Sequence, residues 1–259
     1  MDFFYLKPFN LLFFILIACA VGLSFLLGKI MKGKSRDFRR NFLKIMYSCV
    51  FVFFFVYKYW LSKDAEYSNL CYEAGFGAFS WGKELPLQLC NINIWLMILA
   101  VIFDKPILYG FVFYIASLGA FMPMVAPALG FYGYSFLLPR MLGYWITHLA
   151  VFMESFLMAQ SGLYKPKYRD VPLVAAMLVG VTFIIFCYDL VVSKTGLCPN
   201  VNYFYALGTE GNPVLNIMWN IVPVPFVYLL LGLAVLVPYQ FLLTFIGKKL
   251  HIGEQRIPL

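Results

Sequence analysis

Long apolar runs constrain the fold of this chain more than any other feature of its sequence. Seven runs are long enough to cross the ~30 Å hydrocarbon core of a bilayer as helices of roughly 20 residues. They cover residues 9–28, 45–61, 85–103, 106–123, 137–159, 171–193 and 214–246. Because the runs take up most of the chain, we expect a single transmembrane helical domain over residues 1–259. The predicted class is an all-α polytopic membrane protein of about seven transmembrane helices, without β-strands.

The low content of charge supports this prediction. Charged residues make up 12% of the sequence and the mean hydropathy is +0.82. A soluble domain carries about 25% charged residues. The net charge of +8 therefore has to be interpreted by where the basic residues lie.

The basic residues follow the positive-inside rule. Most of them lie after the first, fifth and last runs, at Lys29, Lys32, Lys34, Arg36, Arg39, Arg40, Lys44, Lys165, Lys167, Arg169, Lys248, Lys249 and Arg256. This pattern predicts a multi-pass protein of the cell membrane, with its N-terminus outside and its C-terminus in the cytoplasm. We expect the basic residues to contact anionic membrane lipid and do not expect nucleic acid as a partner.

Two cysteines lie in connections that this topology places outside the cell. Cys71 lies between the second and third runs, and Cys198 between the sixth and seventh. Disulfides persist outside the cell, so we predict a Cys71–Cys198 bond that ties the two loops together. No cluster with metal-ligand spacing and no cofactor-binding motif occurs in the sequence, so we expect neither a metal nor a cofactor.

Titratable residues inside the apolar runs are candidate functional residues, because such groups are costly to place in a bilayer. Cys90 lies in the third run and His148 in the fifth. A thiol and an imidazole are the minimum parts for thiol-based acyl chemistry. We expect Cys90 ~9 Å and His148 ~16 Å from the outer ends of their helices. Each also has a purely structural interpretation, Cys90 as a packed thiol and His148 as a hydrogen-bonding strut between helices.

Other polar residues lie towards the same predicted outer side. Arg140 precedes His148 by two helical turns, so both side chains point to roughly one side, ~12 Å apart. Arg140 has three possible roles: it snorkels to headgroups, pairs with Asp189, or contacts a substrate. The remaining candidate substrate contacts are Asn91, Asn93, Asp189 and Asn216. Pro223 and Pro225 predict a kink in the seventh run, which favours either a cavity or simple packing.

Three stretches of the sequence together resemble the YwaF-like family of bacterial integral membrane proteins. They are Leu85–Pro86–Leu87–Gln88–Leu89–Cys90, then Pro139–Arg140 followed by His148, then Asn202–Tyr203–Phe204–Tyr205 followed by Pro223–Val224–Pro225. The family is related to a vertebrate transmembrane acyltransferase that makes arachidonoyl ether phospholipids. In that relative a cysteine and a histidine of these motifs are the proposed catalytic pair. The resemblance therefore implies Cys90 as a nucleophile and His148 as its base.

The first functional hypothesis is a lipid acyltransferase or transacylase. It would act on phospholipid at the outer leaflet through a thioester on Cys90, with His148 moving the proton. Arg140 would hold the lipid phosphate, and Asn91 or Asn93 would donate to the oxyanion.

The second hypothesis is a carrier or binding protein for a small amphipathic solute. Polar residues on kinked helices form such sites in transporters. Arg140, His148 and Asp189 would then contact the ligand, and Cys90 would be inert. A structural or assembly role is a third alternative, for which the sequence has no positive feature.

Overall fold

The computed structural model describes residues 4–75, 77, 79–250 and 252, so Arg256 of the last basic group lies outside the described residues. The described chain forms nine α-helices in the order α1 (Leu11–Met31), α2 (Arg36–Leu61), α3 (Ala65–Glu73), α4 (Leu89–Phe103), α5 (Pro106–Val125), α6 (Pro139–Ser161), α7 (Asp170–Lys194), α8 (Pro213–Ile221) and α9 (Leu233–Lys249). Two 3₁₀ helices, Tyr203–Tyr205 and Val227–Gly232, lie in the connections before α8 and α9.

The predicted all-α membrane class is confirmed. Among the residues that the structure describes, six helical segments are long and apolar enough to cross a bilayer, namely α1, α2, α5, α6, α7 and Val227–Lys249. The third predicted run forms α4, which is apolar but has only 15 residues. Such a helix is about 22 Å long, so α4 is too short to cross ~30 Å of hydrocarbon by itself.

The start of α4 differs from the prediction. The helix begins at Leu89 and not at Leu85, because the chain before it forms a tight turn in which the amide of Leu87 donates to the carbonyl of Leu85 at 2.7 Å. The side-chain oxygen of Gln88 accepts the backbone N–H of Phe204 at 2.9 Å, outside the helix. Cys90 is therefore the second residue of α4, and not one and a half turns inside it.

Helix α3 lies in a connection for which the sequence predicts an irregular loop. Its first turn is capped by Asp64, whose carboxylate accepts the amide of Tyr67 at 2.9 Å. One face of the helix is buried through Tyr67 and Cys71, which are one turn apart. Hydropathy does not detect this helix because its remaining residues are mostly polar.

The seventh predicted helix is broken and not merely kinked. Helix α8 ends at Ile221, and the chain resumes helical structure at Val227. Neither Pro223 nor Pro225 can donate an amide to a continuous helix. The next residue, Phe226, has a φ of 63° and donates its amide to the carbonyl of Ala206 at 2.8 Å.

A short β-pair corrects the expectation of no strands. The strands β1 (Tyr5–Leu6) and β2 (Tyr134–Ser135) are antiparallel, with Tyr5 opposite Ser135. Flanking bonds extend the pairing, since Gly133 donates its amide to Leu6 at 2.7 Å. The pair fastens the start of the chain to the connection between α5 and α6.

The helices group into two compact units. The first comprises the described residues of Met1–Phe79 and Leu89–Lys165, and so α1 to α6. The second comprises Ser80–Gln88 and Pro166–Leu250, and so α7 to α9. The expectation of one domain over residues 1–259 stays a prediction.

Helix α6 is the centre of the first unit and packs against α1, α2, α4 and α5. Two glycines permit close approach. A Cβ at Gly28 of α1 would lie 2.0 Å from Oε1 of Gln160, and a Cβ at Gly143 of α6 would lie 1.9 Å from Cδ2 of Tyr57. The absence of a side chain at Gly143 therefore brings α2 and α6 together near His148.

Three arginines of the basic segment after α1 bind within the first unit. Arg36 places Nη2 2.6 Å and Nε 3.3 Å from the carboxylate of Asp104, which holds the pKa of that carboxyl below its ordinary value. Arg40 donates to carbonyls in the last turn of α4, and Arg39 donates to the last carbonyl of α6 at 2.6 Å. Arg39 and Arg40 therefore stabilise helix C-termini. All three arginines have partners within the first unit.

Candidate active site

Cys90 lies at the N-terminus of α4 and is buried. Its Sγ lies 3.7 Å from Oδ1 of Asn91, which accepts the thiol hydrogen. The first amides of a helix have no partner inside the helix, and the N-terminus carries a partial positive charge. A thiol in this position is close to groups that favour negative charge on sulfur.

The imidazole of His148 is held in one tautomer and one orientation. Its Nδ1 lies 2.6 Å from the carbonyl oxygen of Tyr144. A carbonyl only accepts, so Nδ1 carries the hydrogen and Nε2 keeps the basic lone pair. The Tyr144 ring lies 4.1 Å from the imidazole and stacks at 4.4 Å on Phe131. Because the Tyr144 hydroxyl also donates to the carbonyl of Pro123 at 2.7 Å, the ring beneath His148 is fixed.

A buried lysine, Lys58, lies in the same region and was not singled out from the sequence. Its side chain is 7% exposed, and its Nζ lies 4.7 Å from the ring centroid of Tyr57 and 5.3 Å from that of Phe54. Its helix, α2, packs against both α4, which carries Cys90, and α6, which carries His148. The sequence does contain a signal for Lys58, because it lies inside the apolar run 45–61 and cations inside the membrane are candidate functional residues.

The three side chains come from three helices that pack on one another, since α2, α4 and α6 are pairwise in contact. Cys90, His148 and Lys58 therefore all lie in the first unit, on helices that contact one another. Their roles as nucleophile and base stay predictions.

The two asparagines of α4 are buried beside Cys90. The side-chain oxygen Oδ1 of Asn91 accepts a hydrogen bond from the Cys90 thiol. Asn93 donates from Nδ2 to the carbonyl of Leu89 at 2.8 Å, and its Oδ1 has no hydrogen-bond partner in the described chain. The amide group of Asn91 is therefore the better-placed side-chain donor of the two.

Arg140 is held by carboxylates, which differs from the roles considered above. Its Nη1 lies 2.9 and 3.1 Å from the two oxygens of Asp64. Its Nη2 lies 2.9 Å from Oε2 of Glu66, close enough for an ion pair but without hydrogen-bond alignment. Its Nε donates to the carbonyl of Gly130, and the guanidinium lies 4.4 Å from the ring centroid of Tyr134. The ion-pair partners of Arg140 are therefore Asp64 and Glu66, and not Asp189. Because two carboxylates already bind the guanidinium, Arg140 has little capacity to bind a phosphate.

Replacing Asp64 with asparagine is expected to lower the free energy of unfolding by ~2–4 kcal/mol, because the buried guanidinium loses its bidentate partner. Asparagine still caps α3, so the change isolates the lost charge. The matched control is Glu66→Gln, at a carboxylate that is 57% exposed, with an expected loss below ~1 kcal/mol. Denaturant unfolding in detergent measures both values, and equal losses in the two variants would contradict this assignment.

A cavity of about 310 Å³ lies at the end of α2 and the start of α6, lined by Trp60, Lys63, Asp64, Pro139 and Arg140. Its wall carries both cationic and anionic groups beside an indole ring. Such a surface suits a zwitterionic or amphipathic group better than a purely apolar one.

The remaining candidate substrate contacts, Asp189 and Asn216, belong to the second unit. Asp189 is fully buried on α7. The backbone N–H of Tyr203 interacts electrostatically with the Asp189 carboxylate. No group in the described chain forms a hydrogen bond of normal geometry with that carboxylate. Asn216 is half-buried on α8. In the connection between these helices, burial raises the pKa of the Tyr203 phenol and of the Glu210 carboxyl.

Parts of the first and third stretches that carry the family resemblance meet within the second unit. The amide of Leu85 donates to the hydroxyl of Tyr203 at 2.9 Å, and that hydroxyl donates to the carbonyl of Gly82 at 2.8 Å. The hydroxyl of Tyr228 donates to the carbonyl of Tyr205. These bonds fix the turn that leads directly into α4 and Cys90.

The Cys71–Cys198 disulfide stays a prediction: in the structure neither cysteine is in a disulfide, and the two belong to different units. Each is buried inside its own unit. Cys71 lies on the buried face of α3, and Sγ of Cys198 lies 3.8 Å from Oγ of Ser80. The sequence predicts an irregular loop around Cys71, whereas the structure has helix α3 there. No group of three or more metal-ligating side chains occurs among the residues that the structure describes.

The fold defines a polytopic α-helical membrane protein, with a buried thiol and imidazole among three mutually packed helices. The sequence model of the TMEM164 family, a family of transmembrane proteins, matches residues 5–244. The chain therefore belongs to the TMEM164 family. Neither the curated proteins nor the solved structures give a significant match. The narrower YwaF-like assignment stays a prediction.

Proposed function

We propose that this protein is a membrane-embedded acyltransferase or transacylase that acts on phospholipid through a thioester on Cys90. The observation that carries the proposal is the joint placement of Cys90 and His148. Both are buried, on helices α4 and α6 that pack on each other and on α2, which carries the buried Lys58. A buried thiol that served only as a small apolar residue would not need an oriented base and a buried cation nearby.

The fixed tautomer of His148 supports its role as the base. The Nδ1–H bond to the Tyr144 carbonyl leaves Nε2 as the nitrogen that accepts a proton. This follows the general logic of an activated nucleophile, in which a third group orients the base. Here the third group is a backbone carbonyl, so the orientation does not depend on another ionisable residue.

The position of Cys90 supports its role as the nucleophile. Unpaired amides at the N-terminus of α4, with the Asn91 side-chain amide, are suitable donors to an acyl oxygen that becomes negative. They lie next to the reacting sulfur along the chain, as an oxyanion site requires.

The first half-reaction forms the acyl-enzyme. His148 Nε2 takes the thiol proton while the Cys90 sulfur forms a bond to the ester carbonyl carbon, and the carbonyl π electrons move to oxygen. When the tetrahedral intermediate collapses, the C–O bond to the glycerol oxygen breaks. That oxygen takes the proton from His148, which leaves a lysophospholipid and a Cys90 thioester.

The second half-reaction delivers the acyl chain. The hydroxyl of a lysophospholipid acceptor forms the new C–O bond while its proton passes to His148. The C–S bond then breaks, and the released Cys90 sulfur takes the proton back. Donor and acceptor are both membrane lipids, so no cofactor enters the scheme.

The predicted topology places this chemistry at the outer leaflet of the cell membrane. The cavity lined by Trp60, Lys63 and Arg140 is a suitable binding site for a lipid headgroup. Its charged residues would face the zwitterionic part, with Lys63 as the cation for the phosphate, because Arg140 is already paired.

Replacing His148 with glutamine is expected to slow acyl transfer ~10²–10⁴-fold, because the general base is lost while a polar side chain of similar size remains. The assay measures transfer of a labelled acyl chain from phospholipid to lysophospholipid in proteoliposomes. The matched control is Thr147→Ser, at the neighbouring buried position, which should keep the wild-type rate. Transfer at the wild-type rate in the His148 variant would exclude it as the base. Solute uptake by the same vesicles that survives Cys90→Ala would favour the carrier hypothesis.

A further inference from the structure

Phe131 is a buried aromatic residue that the reaction scheme above does not use. It lies in the connection between α5 and α6 and is 4% exposed. Its ring stacks on that of Tyr144, with the centroids 4.4 Å apart and the planes at 14°. The Tyr144 ring in turn lies 4.1 Å from the His148 imidazole, at 37°. The three rings therefore form an aromatic column inside the first unit that ends on the proposed base.

The helix alone does not fix the imidazole of His148. Tyr144 and His148 are four residues apart, so their side chains are neighbours on any α-helix. The hydrogen bond from Nδ1 to the Tyr144 carbonyl holds one atom of the imidazole, and the ring can still pivot about that bond. The Tyr144 ring blocks this rotation only while its own plane is fixed. The direction of Nε2 therefore depends on what holds the Tyr144 ring.

Two contacts from outside α6 hold the Tyr144 side chain. Its hydroxyl donates to the carbonyl of Pro123 in α5 at 2.7 Å. The hydroxyl oxygen lies on the Cβ–Cζ axis of the ring, so this bond fixes the end of the side chain but not the plane of the ring. Stacking on Phe131 fixes the plane, because a rotated ring would lose the parallel contact that offset-stacked aromatic pairs favour.

Phe131 is itself firmly held, although it lies in a loop. Its carbonyl accepts the indole N–H of Trp145 at 3.0 Å, and its amide donates to the carbonyl of Ala128 at 3.1 Å. Its ring packs against Tyr67 of α3 at 5.3 Å. The preceding residue, Gly130, has a φ of 85°, and a Cβ there would lie 3.0 Å from Cδ2 of Tyr67. The column thus has a rigid support that does not belong to α6.

We propose that Phe131 is a positioning residue for His148: acting through Tyr144, it sets the plane of the imidazole and so the direction of Nε2. This inference rests on the proposed function, in which Nε2 takes the proton of Cys90. Phe131 exchanges no proton or electron pair. Proton transfer needs a base within hydrogen-bond reach of the proton, and a misplacement of ~1 Å can slow an enzyme about 10²-fold.

The first test compares Phe131→Leu, which removes the stack, with Phe131→Tyr, which keeps an aromatic ring. The experiment measures the single-turnover rate at which labelled phospholipid acylates Cys90 in full-length protein in vesicles, normalised to folded protein. We expect Phe131→Leu to lower the rate constant at saturating lipid ~10–10²-fold, with little change in the apparent affinity for lipid. Phe131→Tyr should stay near the wild-type rate, because ring stacking remains. Phe131→Met replaces the leucine variant if that variant does not fold.

The second test observes the imidazole directly and does not require acyl transfer. The sequence contains two histidines, His148 and His251, so ¹⁵N-histidine labelling gives few signals, and His251→Gln identifies those of His148. The nitrogen shifts and their couplings to the ring protons distinguish the Nδ1–H tautomer from the Nε2–H tautomer. We expect the Nδ1–H form alone in the wild type and in Phe131→Tyr. Phe131→Leu should show a second form or exchange broadening.

The matched control is Phe113→Leu, at a buried ring of α5 that contacts Tyr114 and Tyr164. It should lower stability without changing the rate per folded molecule or the His148 signals. A purely structural role for Phe131 predicts this same pattern for Phe131→Leu, and that result would overturn the inference, as would equal losses in Phe131→Leu and Phe131→Tyr. Transfer that persists in Cys90→Ala would instead overturn the proposed function, and the nitrogen spectra would still decide whether Phe131 orients the imidazole.

Discussion

Replacing Cys90 with alanine is expected to reduce acyl transfer ~10³-fold or more, down to the rate without a covalent intermediate. The physical reason is that alanine has no atom that can form the thioester, while the volume change at the start of α4 is small. Folding should be nearly unaffected, because Cys90 makes a single weak side-chain hydrogen bond, at 3.7 Å. The measurement is transfer of labelled acyl chain between lipids in proteoliposomes.

Two other thiols are controls for this variant. Cys187 lies exposed on α7 and Cys49 exposed on α2. Replacing either with alanine should leave transfer unchanged, because neither lies near an oriented base in the described structure. An equal loss in all three variants would point to a general effect on folding, and a normal rate in Cys90→Ala would rule out the covalent mechanism.

Replacing Gly143 with alanine is expected to lower the free energy of unfolding by ~1–3 kcal/mol, in the range of overpacked cores. The added Cβ would lie 1.9 Å from Cδ2 and 2.2 Å from Cγ of Tyr57, so either the ring or the helix has to move. Tyr57 is only 2% exposed, so its ring has little room to give way. Movement of α2 would also shift it against α6, which carries His148, and we expect activity to fall together with stability.

The control for this prediction is Gly22→Ala in α1, where a Cβ would meet no atom within 4 Å. Alanine is preferred over glycine inside a helix by roughly 0.5–1 kcal/mol, so this variant should be as stable as the parent or slightly more so. Denaturant unfolding followed by tryptophan fluorescence measures both changes. A Gly143→Ala variant with unchanged stability would show that α2 and α6 do not pack as described.

Much of the fold could be predicted because a bilayer allows few solutions for long apolar runs. Hydropathy found the region of each long helix in the described chain, but it missed the first nine residues of α2, which begins at Arg36 and not at residue 45. It could not find α3, whose residues are largely polar and which is fixed by the Asp64 cap. It also could not locate the start of α4 or the break at Val222–Phe226, because hydropathy does not register where proline removes an amide donor.

The candidate site was predictable only in part. Cys90 and His148 stood out because reactive groups are rare in apolar helices. The partners of Arg140 were not predictable, because Asp64 and Glu66 lie in a connection that hydropathy treats as an unstructured loop. Lys58 was missed because a lysine near the end of an apolar run usually marks the membrane surface, and only the packing of α2 against α4 and α6 reveals that it is buried.

The most direct test of the covalent mechanism is mass spectrometry of the peptide that contains Cys90, after the protein is incubated with acyl-labelled phospholipid and no acceptor. The account predicts that this peptide gains the mass of the acyl chain, through a bond that hydroxylamine cleaves, and that His148→Gln slows its formation. An unmodified Cys90 peptide, in a preparation that transfers acyl chains at the full rate once acceptor is added, would contradict it.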